Sequence, residues 1–198
     1  TFWVDHRALI PRPETEQLIE LLLPRIQDKA PLLADVGTGS GVIAITLAKE
    51  LPSALITATD AQIEALALAK KNAEHHQVTD RVQFHHTNLL VGQSGPFHAI
   101  AANLPYIPSS EIPTLSREVK NEPTSALDGG PDGLDFIRCL LTEAPSLLAP
   151  GGWLALEFSS GQENEILRLC QEVGLADASI TKDYQGHARF ALAIKPHG

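Results

Sequence analysis

A chain of 198 residues, 43% hydrophobic and 20% charged, is long enough to bury one sizeable core and has the balance of an ordinary soluble domain. Its formal charge of −9 speaks against a surface built to grip a phosphate backbone through many Lys and Arg contacts, although a local basic patch stays possible. No apolar run reaches bilayer-spanning length, and residues 1–12 lack a basic-then-apolar export signal, so the chain is expected in the cytoplasm and away from membranes. Cys139 and Cys170, far apart and in apolar helical contexts, read as reduced packing residues rather than a disulfide framework. The chain has no methionine and opens at Thr1 inside a motif, so upstream sequence is expected to be missing.

The apolar period alternates between helix-like and strand-like from about residue 13 onward. A helix is predicted over 13–26, with Pro13 at its opening turn, Glu14 and Glu16 near its positive end, and Leu18, Leu22 and Ile26 on one face. Then follow a strand over 32–36, a helix over 41–51, a strand over 55–59, a helix over 63–75 and strands over 82–86 and 97–102. A Pro-rich loop runs to about residue 133, followed by a helix over 134–148, a strand over 152–158, a helix over 162–173 and strands over 179–184 and 189–195. Strands separated by helices of this length imply parallel crossovers, hence an α/β doubly wound sheet in one domain spanning 1–198. The short Gln185-Gly186-His187 link suits an antiparallel hairpin at a sheet edge.

Asp35-Val36-Gly37-Thr38-Gly39-Ser40-Gly41 follows a strand and opens a helix, and its glycines let a ligand lie against bare backbone. The dinucleotide fingerprint would need glycine at position 42, where Val42 stands. A carboxylate at Asp35 suits an ammonium group, such as that of a methionine moiety, better than a pyrophosphate. Asp60 ends the second strand, where it can accept from both ribose hydroxyls; the alternative is a solvated aspartate capping the helix near Ile63. Asn88 and Leu89, at the end of the third strand, stand where an adenine edge and face would lie, or form a surface turn.

Asn103-Leu104-Pro105-Tyr106 follows the fourth strand, at the carboxyl edge where open α/β sheets bind ligands; as a bare tetrapeptide it is also a common turn. The chemistry supplies a reason for it. An amide nitrogen is a poor nucleophile because its lone pair is delocalised. A site helps by accepting both N–H bonds, through the Asn103 side-chain oxygen and the Leu104 carbonyl, and aiming the nitrogen at a sulfonium methyl. Pro105 stiffens the loop, and the Tyr106 ring can pack on the flat amide and exclude water.

Four stretches together resemble the bacterial-type N5-glutamine methyltransferases that modify peptide chain release factors. They are Phe2-Trp3-Val4 with Leu9 to Glu16, Asp35 to Gly41, Asn103 to Pro108, and Ala126-Leu127-Asp128-Gly129-Gly130-Pro131-Asp132-Gly133. The resemblance implies a Rossmann-like class I methyltransferase, with an antiparallel hairpin beside the mostly parallel sheet. It implies that S-adenosylmethionine binds along Asp35, Gly37, Thr38, Gly39, Ser40, Gly41, Asp60, Asn88 and Leu89, with Asn103 also touching it. Asn103, Leu104, Pro105 and Tyr106 would hold the glutamine of a Gly-Gly-Gln tip on a class 1 release factor. Arg12 and Glu14 to Glu16 would lie beside that loop, or merely begin a surface helix; residues 128–133 read as a glycine-rich helix entry without ligand contact. Three residues depart from the family pattern: Leu104 replaces a proline, and Asn88 and His98 replace aspartates. The family also carries a helical substrate-binding domain upstream, expected to be missing here.

An adenine-N6 methyltransferase acting on RNA or DNA is the alternative, because Asn-Leu-Pro-Tyr also resembles the loop of ribosomal RNA adenine dimethylating enzymes. The acidic charge and few aromatics speak against direct nucleic-acid binding. A cofactor-binding protein without catalysis is a third reading. His75-His76 and His85-His86 point in different directions within each pair and lack completing ligands, so no metal site is expected.

Overall fold

The computed structural model describes residues 1–117 and 119–197. Seven strands form one sheet: β1 (Leu32–Val36), β2 (Leu55–Asp60), β3 (Val82–His86), β4 (Phe97–Ala102), β5 (Leu148–Glu157), β6 (Ala176–Lys182) and β7 (Ala188–Ile194). Their order is β3-β2-β1-β4-β5-β7-β6. The first five run parallel, and β7 lies antiparallel between β5 and β6. The expected hairpin is therefore present, with β6 as the outer strand. After β3 the chain returns to the other side of β1, so the strand order reverses between β1 and β4 and a crevice opens at their carboxyl ends.

The helices are α1 (Pro13–Leu22), α2 (Val42–Glu50), α3 (Ile63–His75), α4 (Asp135–Leu147) and α5 (Glu163–Glu172). Each buries an apolar stripe on the sheet. Leu18 and Leu22 of α1 and Ile45 and Leu47 of α2 join one core; Ile137, Leu140 and Leu141 of α4 and Ile166 of α5 join the other. Strand β4 feeds both, with Ala99 and Ala101 facing the first and Ile100 and Ala102 the second, which is why it reads as a continuous apolar run.

Three elements differ from expectation by more than one residue at an end, and the remaining differences are of a single residue. Helix α1 stops at Leu22 and tightens into a 3-10 turn over Leu23–Arg25, because Pro24 cannot donate to the helical ladder. Strand β5 starts at Leu148, which pairs with Phe97 across an irregularity at Pro150-Gly151 rather than stopping there. Strand β6 ends at Lys182, since the Asp183 carboxylate accepts from the Gln185 and His187 amides and closes the hairpin turn.

Both cysteines are free, but only Cys170 is buried; Cys139 is exposed on α4 and does not pack. Among the described residues no helix is long and apolar enough to cross a membrane, and no group of three or more His, Cys, Asp or Glu side chains is placed to hold a metal ion. His98 lies at the amino end of β4, where its Nδ1 accepts the Leu32 amide at 2.9 Å and its Nε2 is 3.5 Å from Asp28. That is the opposite end of the sheet from the crevice.

Candidate active site

The turn after β1 is built by backbone. The amides of Gly37 and Thr38 both donate to the Thr59 carbonyl at 2.9 Å, which ties the loop to the end of β2. Gly37 has φ of 72°, and a Cβ there would come within 2.9 Å of Leu104 Cδ2. Only glycine combines that backbone with that neighbour. One residue on, Gly39 donates its amide to Asp60 Oδ2 at 2.9 Å, while Asp60 Oδ1 accepts the Gln62 amide at 2.8 Å. Asp60 thus organises the loop and the entry to α3 at once. Burial raises its pKa against these opposing hydrogen bonds.

Asp35 departs from expectation. Its carboxylate is fully buried, accepting from the Thr38 hydroxyl at 2.6 Å and the Ala44 amide at 2.9 Å. Desolvation pushes it up to about 7. It does not border the crevice, so it braces the glycine turn from inside rather than facing a ligand's ammonium group. Thr38, Ser40 and Gly41 are displaced in the same sense. Thr38 points at Asp35, the Ser40 carbonyl accepts from buried Asn72 at 2.8 Å, and Gly41 is pressed against Ala69 as α2 begins. A strand–turn–helix exposes only the residues at the top of its turn; the others turn back into the layers.

A cleft lies at the carboxyl ends of β1, β2 and β4, and of the expected residues Gly37, Gly39, Asp60, Asn88, Leu89 and Asn103 line it. Leu89 is buried, with φ of 47°, whereas Asn88 is exposed. Arg7, Ala8 and Leu9 close one side, and Ser125, Ala126, Asp128 and Phe136 another. The amino-terminal segment reaches this position because Asn72 of α3 grips the Trp3 backbone on both sides, accepting its amide at 2.8 Å and donating to its carbonyl at 3.0 Å. Leu9, Ala126 and Asp128 belong to stretches that carry the family resemblance, whereas Arg7, Ala8, Ser125 and Phe136 give no signal in the sequence, since nothing in an isolated stretch says which distant segment will cover a sheet edge.

A second cavity adjoins the first and shares Leu9, Asn103, Leu104 and Ala126 with it. Arg12, Tyr106, Ile107, Leu115, Val119 and Leu127 complete its lining. Asn103 and Leu104 therefore stand on the wall between two compartments. The Asn103 Nδ2 donates to Thr15 Oγ1 at 3.1 Å. Among the described residues, neither Asn103 Oδ1 nor the Leu104 carbonyl accepts a hydrogen bond. The Leu104 side chain is buried in the core against Gly37, so the residue that departs from the family pattern is anchored rather than loose.

Pro105 and Tyr106 divide between the compartments. Pro105 borders the first, and Tyr106 only the second. The Tyr106 ring packs partly on the core and its hydroxyl donates to Glu157 Oε1 at 3.0 Å. Burial, with the neighbouring Glu157 charge, pushes that hydroxyl well above its usual pKa. The ring is thus a wall fixed at its far end, less free to follow a bound amide than the sequence suggests.

Behind this loop lies the glycine-rich stretch. A Cβ on Gly129 would come within 2.7 Å of the Pro105 carbonyl, and one on Gly133 would overlap the Tyr106 carbonyl. The same Tyr106 carbonyl accepts from Gln162 Nε2 at 3.0 Å. Apart from Asp128, which borders the first cleft, the stretch acts through backbone contact with the Asn103–Tyr106 loop. Arg12 is no mere helix-start residue: it pairs with Glu122, whose side chain is 7% exposed, and so ties the amino-terminal segment to the long loop.

Comparison with known proteins gives a consistent result. Residues 14–130 match the family model described as methyltransferase small domain. The chain is 42% identical over 197 residues to the release factor glutamine methyltransferase of Moorella thermoacetica, covering 98% of this chain and 70% of that protein. It is 40% identical over 195 residues to that of Deinococcus radiodurans, covering 98% and 69%. Among solved structures, a ribosomal protein L11 methylase from Lactobacillus delbrueckii subsp. bulgaricus superimposes with a TM-score of 0.71 at 23% identity, over 96% of this chain and 81% of that one. The amino-terminal domain of human METTL16 in complex with SAH gives 0.69 at 17% identity, over 98% and 75%. The fold is that of the class I S-adenosylmethionine-dependent methyltransferases, and the chain belongs to the release factor glutamine methyltransferase family.

Proposed function

We propose that this chain transfers a methyl group to the side-chain nitrogen of a glutamine in a peptide chain release factor, with the cofactor in the first cleft and the glutamine entering through the second cavity. The carrying observation is the position of Asn103 and Leu104 on the wall between the two.

The cofactor of the family is S-adenosylmethionine, and the cleft has the chemistry to hold it. The Asp60 carboxylate retains lone pairs for ribose hydroxyls beyond those used by Gly39 and Gln62. Gly37 and Gly39 present backbone without side chains, and Leu89, Ala65 and Phe136 supply an apolar surface for a flat base. Bound there, it would supply an electrophilic methyl on a cationic sulfur.

The chain's residues prepare the nucleophile. The Asn103 Oδ1 and the Leu104 carbonyl accept the two N–H bonds of the target amide and hold its nitrogen toward the cleft. Tyr106 and the apolar residues of the second cavity keep water away from the amide. No strong base is required, because the methylated, cationic nitrogen sheds its proton readily. A release factor acts at the ribosome, so a cytoplasmic location follows from this reading.

The test is transfer of labelled methyl from S-adenosylmethionine to a purified release factor, with mass spectrometry locating the label. Modification of the Gly-Gly-Gln glutamine, abolished by Asn103→Ala with cofactor binding retained, is the expected result. Label on RNA alone would sink the proposal.

A further inference from the structure

We infer that Thr15 and Glu157 are positioning residues that decide which end of the Asn103 amide faces the reacting nitrogen. The inference rests on the reading of Asn103 as the amide-holding residue.

The side chains form a chain of donors and acceptors drawn from three parts of the fold. Glu157 ends β5 with its side chain in the interior, and its two oxygens take different partners. Oε1 accepts from the Tyr106 hydroxyl at 3.0 Å, and Oε2 from the Thr15 hydroxyl of α1 at 3.4 Å. An ionised carboxylate only accepts, so Thr15 must turn its single proton toward Glu157. The oxygen left facing Asn103 then offers only lone pairs. Asn103 must present its NH2 group to Thr15, as it does at 3.1 Å, and its Oδ1 is left for another donor. With the amide turned over, an NH2 would oppose the NH2 of the target, donor against donor.

The Thr15 to Glu157 distance is long for an O–H···O bond, so its worth lies in direction rather than strength. Glu157 borders neither cavity and cannot touch the substrate. A carboxylate buried at this depth costs stability that an apolar residue would not, so a reason beyond packing is called for. The groups facing it are Glu14 and Thr15 from α1, Tyr106 from the loop and Arg189 from β7. Burial dominates among them and pushes Glu157 up to about 7. Once protonated, Glu157 can itself donate to Thr15, freeing the Thr15 proton for Asn103 Oδ1 and allowing the amide to turn over.

Methyl transfer to a Gly-Gly-Gln peptide would be followed from about pH 6 to about pH 9, the range that brackets the shifted carboxyl. Calorimetry with S-adenosylhomocysteine would run in parallel. Thr15→Val should lower kcat roughly 10–100-fold while leaving the S-adenosylhomocysteine Kd within about twofold, and Thr15→Ser should restore most of the lost kcat. In the unmodified chain kcat should fall on the acid side with a midpoint near 7, and Glu157→Gln should be slow and lack that acid limb. If Glu157→Gln does not fold, the Val and Ser variants at position 15 carry the test. Thr15→Val with unchanged kcat, or an acid limb retained in Glu157→Gln, would overturn the inference while leaving the glutamine reading intact. Asn103→Ala as active as the unmodified chain would overturn both.

Discussion

The side chain of Leu104 occupies the space that a Cβ on Gly37 would need, with Cδ2 2.9 Å from it. The turn that borders the first cleft and the loop that carries Asn103 are therefore packed directly against each other. Gly37→Ala imposes two separable penalties: a left-handed backbone for alanine, about 1 kcal/mol, and a clash that the flexible end of Leu104 can partly relieve. The expected stability loss is about 1–3 kcal/mol in thermal or urea unfolding. Adding Leu104→Ala should recover the clash part only, so a double-mutant cycle should show coupling of about 0.5 kcal/mol or more. Strict additivity would show that the two loops do not sense each other.

Asp60 and Asn88 offer a contrast within the cleft. Asp60 holds two backbone amides with its two oxygens; Asn88 is exposed. Asp60→Ala should weaken cofactor binding by roughly 10–100-fold, because it removes acceptors for a ligand diol and frees the Gly39 amide. Asn88→Ala should cost about threefold or less, the scale of one exposed hydrogen bond. Calorimetric titration with S-adenosylhomocysteine measures both, and equal losses would contradict the difference in burial.

The contrast between Asp35 and Asp60 shows where sequence reading reaches its limit. Both are strand-end acids beside a glycine turn, and both look like ligand groups. Parity along the strand, together with the burial of the next helix, sends Asp35 inward to Thr38 and Ala44 and leaves Asp60 at the rim. The strands themselves were legible because each carries an apolar run bounded by turn residues; β1, β3 and β4 have the expected ends. The position of Asn103 and Leu104 on the cleft wall was legible because open sheets bind at their carboxyl edge, and their loop follows the strand beside the switch point. Glu157 was not singled out, because the strand expected over 152–158 places it inside the strand, whereas Asp60 stands at the end of one. The partners of Glu157 come from α1 and the Asn103–Tyr106 loop, far away in sequence, and only tertiary structure brings them together.

Arg12 and Glu122 are 110 residues apart and form the ion pair that joins the amino-terminal segment to the long loop. Glu122 also accepts the Ile10 amide at 3.4 Å. Arg12→Ala leaves the covered carboxylate without its cation. With Arg12 itself 37% exposed, the cost should be about 1–2 kcal/mol, below that of a fully buried pair. Because Leu9 and Arg12 border the second cavity, the KM for a Gly-Gly-Gln peptide should rise more than kcat falls. Steady-state kinetics would show this, and an unchanged KM would mean that the clamp does not shape the peptide side.

Asp35 and Glu157, the two acids that burial raises furthest, dominate the dependence of stability on pH, and Asp60 is raised in the same sense. Burial pushes both Asp35 and Glu157 up to about 7. Between their unfolded values and about 7 the native state binds more protons than the unfolded chain, so stability must fall as pH rises through that interval. Asp5 and Asp132, lowered to about 2 by Arg7 and Arg138, act in the opposite sense, but only below about pH 4. From about pH 5 to about pH 8 the net loss should be on the order of 1–3 kcal/mol, allowing for relaxation around the buried charges. Asp35→Asn keeps one acceptor oxygen for Thr38 and Ala44 while removing the charge, and should flatten the curve in this window. Urea unfolding at a series of pH values checks the sign: a protein that gains stability from pH 5 to pH 8, on the scale of about 1 kcal/mol, would show that neither acid is held in its neutral form by burial.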